Sequence, residues 1–181
     1  MANGIRKRAP VSDEALAVWA DFLRFHAVVT DTLGRELAER GGIPLTWYDV
    51  LLQLNAAPGG RLRMQDLASA VVLSKSGLTR LVDRLAGAGF VVRTSCPSDR
   101  RGTFAEITAE GRGALRRARP VHLQGVADHF AAHLDDRQLA TMGEALADLL
   151  HAQGVATAPV GDGNRCTGPI EGDEPAEARH P

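Results

Sequence analysis

One helix face within residues 74–85 carries polar side chains that could bind a nucleic acid. Apolar residues recur there at i, i+3, i+4 and i+7, which predicts an amphipathic α-helix. These apolar residues are Leu78, Leu81, Val82 and Leu85. On the opposite face, Ser74 can cap the start, short side chains follow, and arginines come last. Such a helix can insert its first turns into a major groove and contact phosphates with the rest. Taken alone, the segment is more typical of a solvated surface helix, so its interpretation depends on its neighbours.

The segment just upstream predicts a second, shorter helix. Residues 64–72 place Leu67, Ala70 and Val71 on one inward face. A turn at residues 72–74 joins this helix to the polar one. Two short helices joined in this way make a helix-turn-helix, whose second helix enters the major groove.

The segment just downstream predicts a β-hairpin. Residues 87–89 can end the polar helix, because glycine accepts the left-handed conformation found after a helix C-terminus. Residues 90–94 and 103–108 predict two strands. The turn-rich loop 96–102 between them carries two adjacent arginines, Arg100 and Arg101. A hairpin with a basic tip beside a helix-turn-helix is a wing, and arginine suits the negative potential of a narrow minor groove.

These motifs, in this order and spacing, resemble the winged helix-turn-helix of the MarR (multiple antibiotic resistance regulator) family. The matching motifs are Asp66-Leu67-Ala68, residues 76–85, residues 89–93, Asp99-Arg100-Arg101 and Ile107-Thr108-Ala109-Glu110-Gly111. With the flanking helices, the resemblance covers roughly residues 12–151. It implies a mainly α fold with a small β-hairpin wing and long terminal dimerisation helices. It also implies that Arg101 reads the minor groove, and a charge-assisted pair with Asp99 would hold its guanidinium there.

Charge is unevenly distributed along the chain. The 181 residues have a formal net charge of −1, yet residues 60–118 contain eleven lysines and arginines and only five aspartates and glutamates. This excess of positive charge coincides with the predicted winged module. No apolar run is long enough to cross a membrane, and the basic start lacks the apolar segment of a secretory signal. Cys96 and Cys166 make no disulfide framework, so we expect a cytoplasmic protein.

Long helices are predicted on both sides of the winged module, which spans about residues 57–108. Residues 12–40 and 109–151 carry apolar stripes that the module is too small to cover. Packing these stripes against a second copy would bury them and form a two-fold homodimer. The two recognition helices would then lie about 34 Å apart, so the expected target is palindromic double-stranded DNA.

Local signals mark the ends of these elements. The predicted caps are Ser12, Thr46 with Asp49, Thr108, and Asp135 with Gln138. The helix after the wing is predicted to run to about residue 134, with a kink at Pro120. Residues 61–63 predict a short strand that pairs with the wing. Residues 1–11 predict a disordered arm, and residues 152–181 predict a disordered acidic tail.

The predicted site has two parts. The first is the DNA-binding surface of the polar helix and the wing, namely Ser74, Lys75, Ser76, Gly77, Thr79, Arg80, Arg84, Arg100 and Arg101. The second is a cleft between the dimer helices and the winged module, lined by Trp19, His26, Trp47 and Tyr48. The resemblance implies a small aromatic or phenolic ligand in such a cleft. The alternative, that Trp19 and Trp47 are core residues, stays open.

Two other kinds of chemistry have weaker support. His122, His129 and His133 are predicted on one helical face, and the last two have a spacing that can hold zinc. No cysteine lies nearby, so neither a metal nor another cofactor is expected. Cys96 precedes arginines that would favour a reactive thiolate. However, the peroxide-sensing branch of similar proteins has a cysteine in its first long helix, and residues 12–40 contain none.

The sequence lacks a phosphate-binding glycine loop, a nucleophile motif and a carboxylate pair flanking a cleft. We therefore do not expect an enzyme. The leading hypothesis is a dimeric DNA-binding regulator, a ligand-responsive repressor. The alternative is a helical protein-interaction module without specific DNA binding. Phosphate neutralisation predicts affinity that falls steeply with salt, whereas an apolar protein interface should respond weakly.

Overall fold

A computed structural model describes residues 10–71, 75–96 and 99–155. For residues 75, 76, 95, 96 and 99–102, it describes the backbone alone. The predicted disorder of residues 1–9 and 156–181 lies outside this part of the chain, as does the predicted cap Ser74.

Six α-helices and three strands make up the described chain. The helices are α1 (Asp13–Glu36), α2 (Leu45–Ala56), α3 (Met64–Ala70), α4 (Lys75–Gly87), α5 (Ala109–His129) and α6 (Asp136–Ala152). The strands are β1 (Arg61–Arg63), β2 (Val91–Cys96) and β3 (Asp99–Ile107). A π-helical turn (Leu37–Gly41) extends α1, and 3-10 turns lie at Pro58–Gly60 and Ala131–His133. The predicted mainly α fold with a small wing is confirmed. Across these described residues, no helix is long and apolar enough to cross a membrane.

The three strands form one antiparallel sheet in the order β1-β3-β2. The predicted pairing of residues 61–63 with the wing is confirmed, since Leu62 lies opposite Ala105. The predicted loop 96–102 is wrong in extent. Cross-strand pairing continues to Ser95 opposite Thr103 and, past a register shift, to Cys96 opposite Asp99. The hydrogen bonds of the facing strand therefore extend each strand beyond its apolar residues.

The apolar core lies where α2, α3, α4 and α5 meet the inner face of the sheet. Leu67 and Val71 are buried as predicted, but Ala70 is exposed, and Ala68 packs against the core instead. The helical repeat that predicted an inward-facing Ala70 does not continue, because α3 ends at this residue. Val71 adopts an extended conformation (φ −104°, ψ 141°), which turns its side chain inward outside the helical repeat.

Three of the four predicted caps are confirmed, and one is wrong. Ser12 and Thr108 accept hydrogen bonds from the backbone N–H groups of Ala15 and Gly111, and Asp135 with Gln138 forms a capping box. Thr46, however, is already inside α2. The extended Pro44 precedes this helix and supplies no side-chain cap (φ −61°, ψ 149°).

The helix after the wing ends earlier than predicted. Helix α5 contains Pro120 and stops at His129 instead of continuing to residue 134. Phe130 leaves the helical conformation (φ −131°, ψ −66°), and its ring centroid lies 6.1 Å from that of Phe25 in α1. Helix α5 thus ends where Phe130 packs against α1.

Candidate nucleic-acid interface

Helix α4 has one fully buried face and one exposed face. Its apolar residues are at most 2% exposed, as predicted, and are Leu78, Leu81, Val82 and Leu85. These residues attach the helix to the core of the module. The exposed residues of the opposite face are Thr79, Arg80, Asp83 and Arg84. The buried face therefore fixes the helix while hydroxyl and guanidinium donors point away from the core.

The remaining predicted DNA-binding residues are described less completely. Gly77 is half-buried within α4. Lys75 and Ser76 occupy the first two positions of α4, and Arg100 and Arg101 follow Asp99 at the start of β3. The side chains of these five residues lie outside the described part of the chain. The pair between Asp99 and Arg101 stays a prediction, as does the reactivity of Cys96.

An ion pair connects α4 to the wing. Arg93 in β2 donates from Nη1 to Oδ1 of Asp83 in α4, at 2.6 Å. Arg93 is one of the eleven basic residues in the segment 60–118. Its positive charge is thus paired within the module. Periodicity could not reveal this pair, because its members lie ten residues apart and on different elements.

Two further arginines lie beside the wing on the outer face of the sheet. The guanidinium carbons of Arg61 and Arg63 lie 5.6 and 5.2 Å from the ring centroid of Phe104. These are cation–π distances. The sequence predicts a strand at both arginines but no function for either. The signal that could have identified them is the Arg-Leu-Arg alternation, which puts both on one face of β1.

The four predicted ligand-binding residues lie in separate surroundings within one chain. Trp19 is 57% exposed and stacks on Phe22 in α1, with ring centroids 5.9 Å apart. Trp47 contacts Phe90 edge-on at 5.8 Å, and Tyr48 is buried with its ring 4.4 Å from that of His122. Trp19 is therefore not a core residue of the single chain, whereas Trp47 packs partly against the core.

His26 lines an open groove between α1 and the start of α2, with a volume of about 680 Å³. Its polar lining includes Thr30, Asp31 and Thr46, and its apolar lining includes Pro44 and Leu45. The other three predicted ligand-binding residues do not line this groove.

The three histidines considered for zinc are separated. The ring of His122 contacts that of Tyr48 in a tilted arrangement, and burial lowers the pKa of its imidazole. Nε2 of His129 lies 2.8 Å from Oε1 of Glu36, and His133 lies beyond the end of α5. In the described ranges, no three histidine, cysteine or acidic residues cluster in a way that could hold a metal ion.

Known proteins with similar sequences and folds are transcriptional regulators. The MarR family model matches residues 32–102. The HTH-type transcriptional regulator YkoM of Bacillus subtilis (strain 168) is 29% identical over 126 residues, which are 70% of this chain and 80% of YkoM.

Two crystal structures from Streptomyces coelicolor have the same fold. AbsC, a MarR family transcriptional regulator, is 32% identical with a TM-score of 0.73, and the match covers 81% of this chain and 99% of AbsC. Sco3205, a MarR family transcriptional regulator in complex with DNA, is 33% identical with a TM-score of 0.75, and the match covers 84% of this chain and 94% of that structure. The chain therefore belongs to the MarR family of transcriptional regulators, which are not enzymes.

Proposed function

We propose that this chain binds double-stranded DNA by inserting α4 into the major groove. The observation that carries the proposal is the exposed polar face of α4 on a helix whose apolar face is at most 2% exposed. We assign Thr79 and Arg80 to contacts with base edges, and Arg84 to contact with a phosphate. The structure of the similar regulator Sco3205 in complex with DNA supports DNA binding by this chain.

The residues at the start of α4 and in the wing complete the proposed interface. Ser74, Lys75, Ser76 and Gly77 bind the backbone of the DNA around the recognition helix. Arg100 and Arg101 enter the adjacent minor groove, and Asp99 orients Arg101. The antiparallel pairing of β2 with β3 supports this proposal, since it extends the hairpin as far as Cys96 opposite Asp99.

We further propose that the protein acts as a two-fold homodimer on a palindromic operator. A large apolar surface of α1 is uncovered in the single chain and includes Leu16, Val18, Trp19, Phe22, Leu23, Phe25 and Val28, each at least 39% exposed. Leu149 and Leu150 of α6 are also uncovered, at 62% and 40% exposure. So many exposed large apolar side chains on one helix are typical of a protein interface, and a second copy would cover them symmetrically.

The regulatory mode is proposed as ligand-responsive repression in the cytoplasm. The groove beside His26 is the candidate site for a small aromatic ligand, because it lies between α1 and the start of α2. After dimerisation, Trp19 of either copy is available to extend its lining. A ligand that binds one spacing of the two recognition helices better than another would shift operator affinity.

Fluorescence anisotropy with a duplex from upstream of the protein's own gene, and with a scrambled duplex, tests the proposal. We expect specific binding by a dimer with affinity that falls steeply as salt rises. Replacing Arg80 by Ala should cost about 1–3 kcal/mol if it reads a base. Arg24→Ala, which removes an exposed arginine of α1, is the matched control. Equal loss in both variants would remove α4 from the interface. No binding of either duplex at low salt would overturn the DNA-binding proposal.

A further inference from the structure

The C-terminal end of the recognition helix α4 is capped by backbone hydrogen bonds from the two residues that precede β2. Phe90 N–H donates to the carbonyl of Leu85, and Gly89 N–H donates to that of Ala86, both at 3.0 Å. With Gly89 at φ 78°, this is a Schellman motif. The carbonyls of Gly89 and Phe90 take no part in the motif and remain available to another element.

Thr108, which caps α5, binds both of these carbonyls. Its hydroxyl donates to the carbonyl of Gly89 at 2.8 Å and accepts from Gly111 N–H at 3.0 Å. Its own N–H donates to the carbonyl of Phe90 at 3.1 Å. One residue therefore begins α5 and holds the end of α4, so the two helix ends cannot move independently without breaking these bonds.

Close packing reinforces this attachment. A Cβ at Gly111 would overlap the carbonyl oxygen of Phe90 and approach Cγ1 of Ile107 to 2.9 Å. Only glycine allows α5 to approach so closely. On its other side, the ring of Phe90 contacts the ring of Trp47 in α2 edge-on. Phe90 is thus held between α2 and the first turn of α5.

The next residue of α5 makes a second attachment to the module. Nη1 of Arg112 donates to Oδ1 of Asn55 in the last turn of α2, at 2.8 Å. The same guanidinium packs on Gly60, where a Cβ would overlap Nη2. Gly60 has φ 71° and leads directly into β1. The first turn of α5 therefore holds the module at the recognition helix and at the turn between α2 and β1.

The far end of α5 belongs to the helices proposed to form the dimer. Gly125 packs on Leu33 of α1, and His129 pairs with Glu36 at 2.8 Å. Helix α5 has 21 residues and spans about 30 Å at 1.5 Å per residue. It is thus one continuous element between the α1 contact and the end of the recognition helix.

We propose that Thr108, Gly111 and Arg112 form a rigid joint that fixes the recognition helix relative to α5. In a dimer this joint sets which half-site spacing the two recognition helices can bind. None of the three is assigned a DNA contact, so they are positioning residues. The inference rests on the proposed DNA-binding function and adds the residues that fix the orientation of the recognition helix.

The test compares Thr108→Val, which removes the hydroxyl but keeps the shape, with Thr108→Ser, which keeps the hydroxyl. Asp135→Ala is the matched control, because it removes a similar cap from α6 without any contact to α4. The probe is the duplex that the wild-type protein selects from a random-sequence pool, together with the same duplex lengthened by one base pair between its half-sites. Anisotropy gives both affinities across a salt series, and circular dichroism gives the melting temperature.

We expect Thr108→Val to bind the selected duplex up to about tenfold more weakly, because fewer free molecules then hold α4 in the orientation that fits the groove. The wild-type preference for the shorter spacing should fall by a factor of about three or more, because a looser joint tolerates either spacing. The slope of affinity against salt should stay unchanged, because no phosphate contact is lost. Thr108→Ser should restore the preference, and Asp135→Ala should leave it intact.

Arg112→Met provides an independent variant, since it removes the bond to Asn55 while keeping a long side chain. We expect the same reduced spacing preference, even where Thr108→Val does not fold. Unaltered spacing preference in the folded variants would overturn the joint while the DNA-binding function stands. A reduced preference in Asp135→Ala as well would also overturn it, because general destabilisation would then be the cause. A wild-type protein that selects no duplex would overturn the proposed function and the joint together.

Discussion

The ion pair between Asp83 and Arg93 should orient the wing against the recognition helix while contributing little to stability. The side chains of Arg93 and Asp83 are 34% and 53% exposed, and their charged atoms lie 2.6 Å apart. Removing either charge should therefore leave the fold intact. It should also free β2 to shift against α4, which would weaken simultaneous binding of the major and minor grooves.

The expected energy follows from the distance and the exposure. At 2.6 Å in a medium as polar as water, two unit charges attract by about 1.6 kcal/mol. The cost of ordering two long side chains lowers this, and exposed pairs typically retain about 0.2–1 kcal/mol. We expect a coupling energy near the upper end of this range, because the bond is short and links two elements. It should decrease as salt is added.

A double-mutant cycle of Asp83→Ala, Arg93→Ala and the double variant measures this coupling from urea unfolding. The same proteins are assayed for DNA affinity across a salt series. Arg93→Ala should weaken DNA binding without lowering the salt slope, because its charge is already paired. A slope reduced by about one unit per subunit would mean that Arg93 binds a phosphate instead. A coupling energy near zero would refute the reasoning from the 2.6 Å contact.

Three further predictions concern stability and assembly. Leu85→Ala should cost about 2–5 kcal/mol of unfolding free energy in urea, because Leu85 is fully buried, whereas Arg84→Ala should change it little. Phe22→Asp should dissociate the proposed dimer in sedimentation and lower operator affinity, and a dimer that persists would exclude this surface. Burial lowers the pKa of His122, so the unfolded chain takes up its proton first as pH falls. The unfolding free energy should then decrease below pH 6.5, and His122→Phe should remove that component.

Local patterns predicted the features that depend on a few neighbouring residues. The buried face of α4 followed from apolar spacing, because a helix places i, i+3, i+4 and i+7 on one side. The caps Ser12 and Thr108 followed from a side-chain oxygen placed before a helical run. The prediction for Thr46 failed because the helix begins one residue earlier, at Leu45, directly after the extended Pro44.

Features that depend on distant partners were not predictable from spacing. The wing strands extend to Cys96 and Asp99 because each supplies the hydrogen-bonding partner of the other. Helix α5 ends at His129, and the next residue contacts Phe25, more than a hundred residues earlier. For the same reason, no count of charges could show that Arg93 is paired with Asp83.

The motif Ile107-Thr108-Ala109-Glu110-Gly111 has a physical explanation that depends on contacts outside the motif. Read locally, it is a strand end followed by a capped helix, and the glycine at the third position of that helix costs stability. In the fold, Thr108 binds the carbonyls after α4, and the missing side chain of Gly111 lets α5 approach Phe90. The three-residue spacing is then required, since it brings both residues to the same helix end. A glycine that is locally unfavourable in a helix thus has a packing role here, because it lets α5 approach the end of α4.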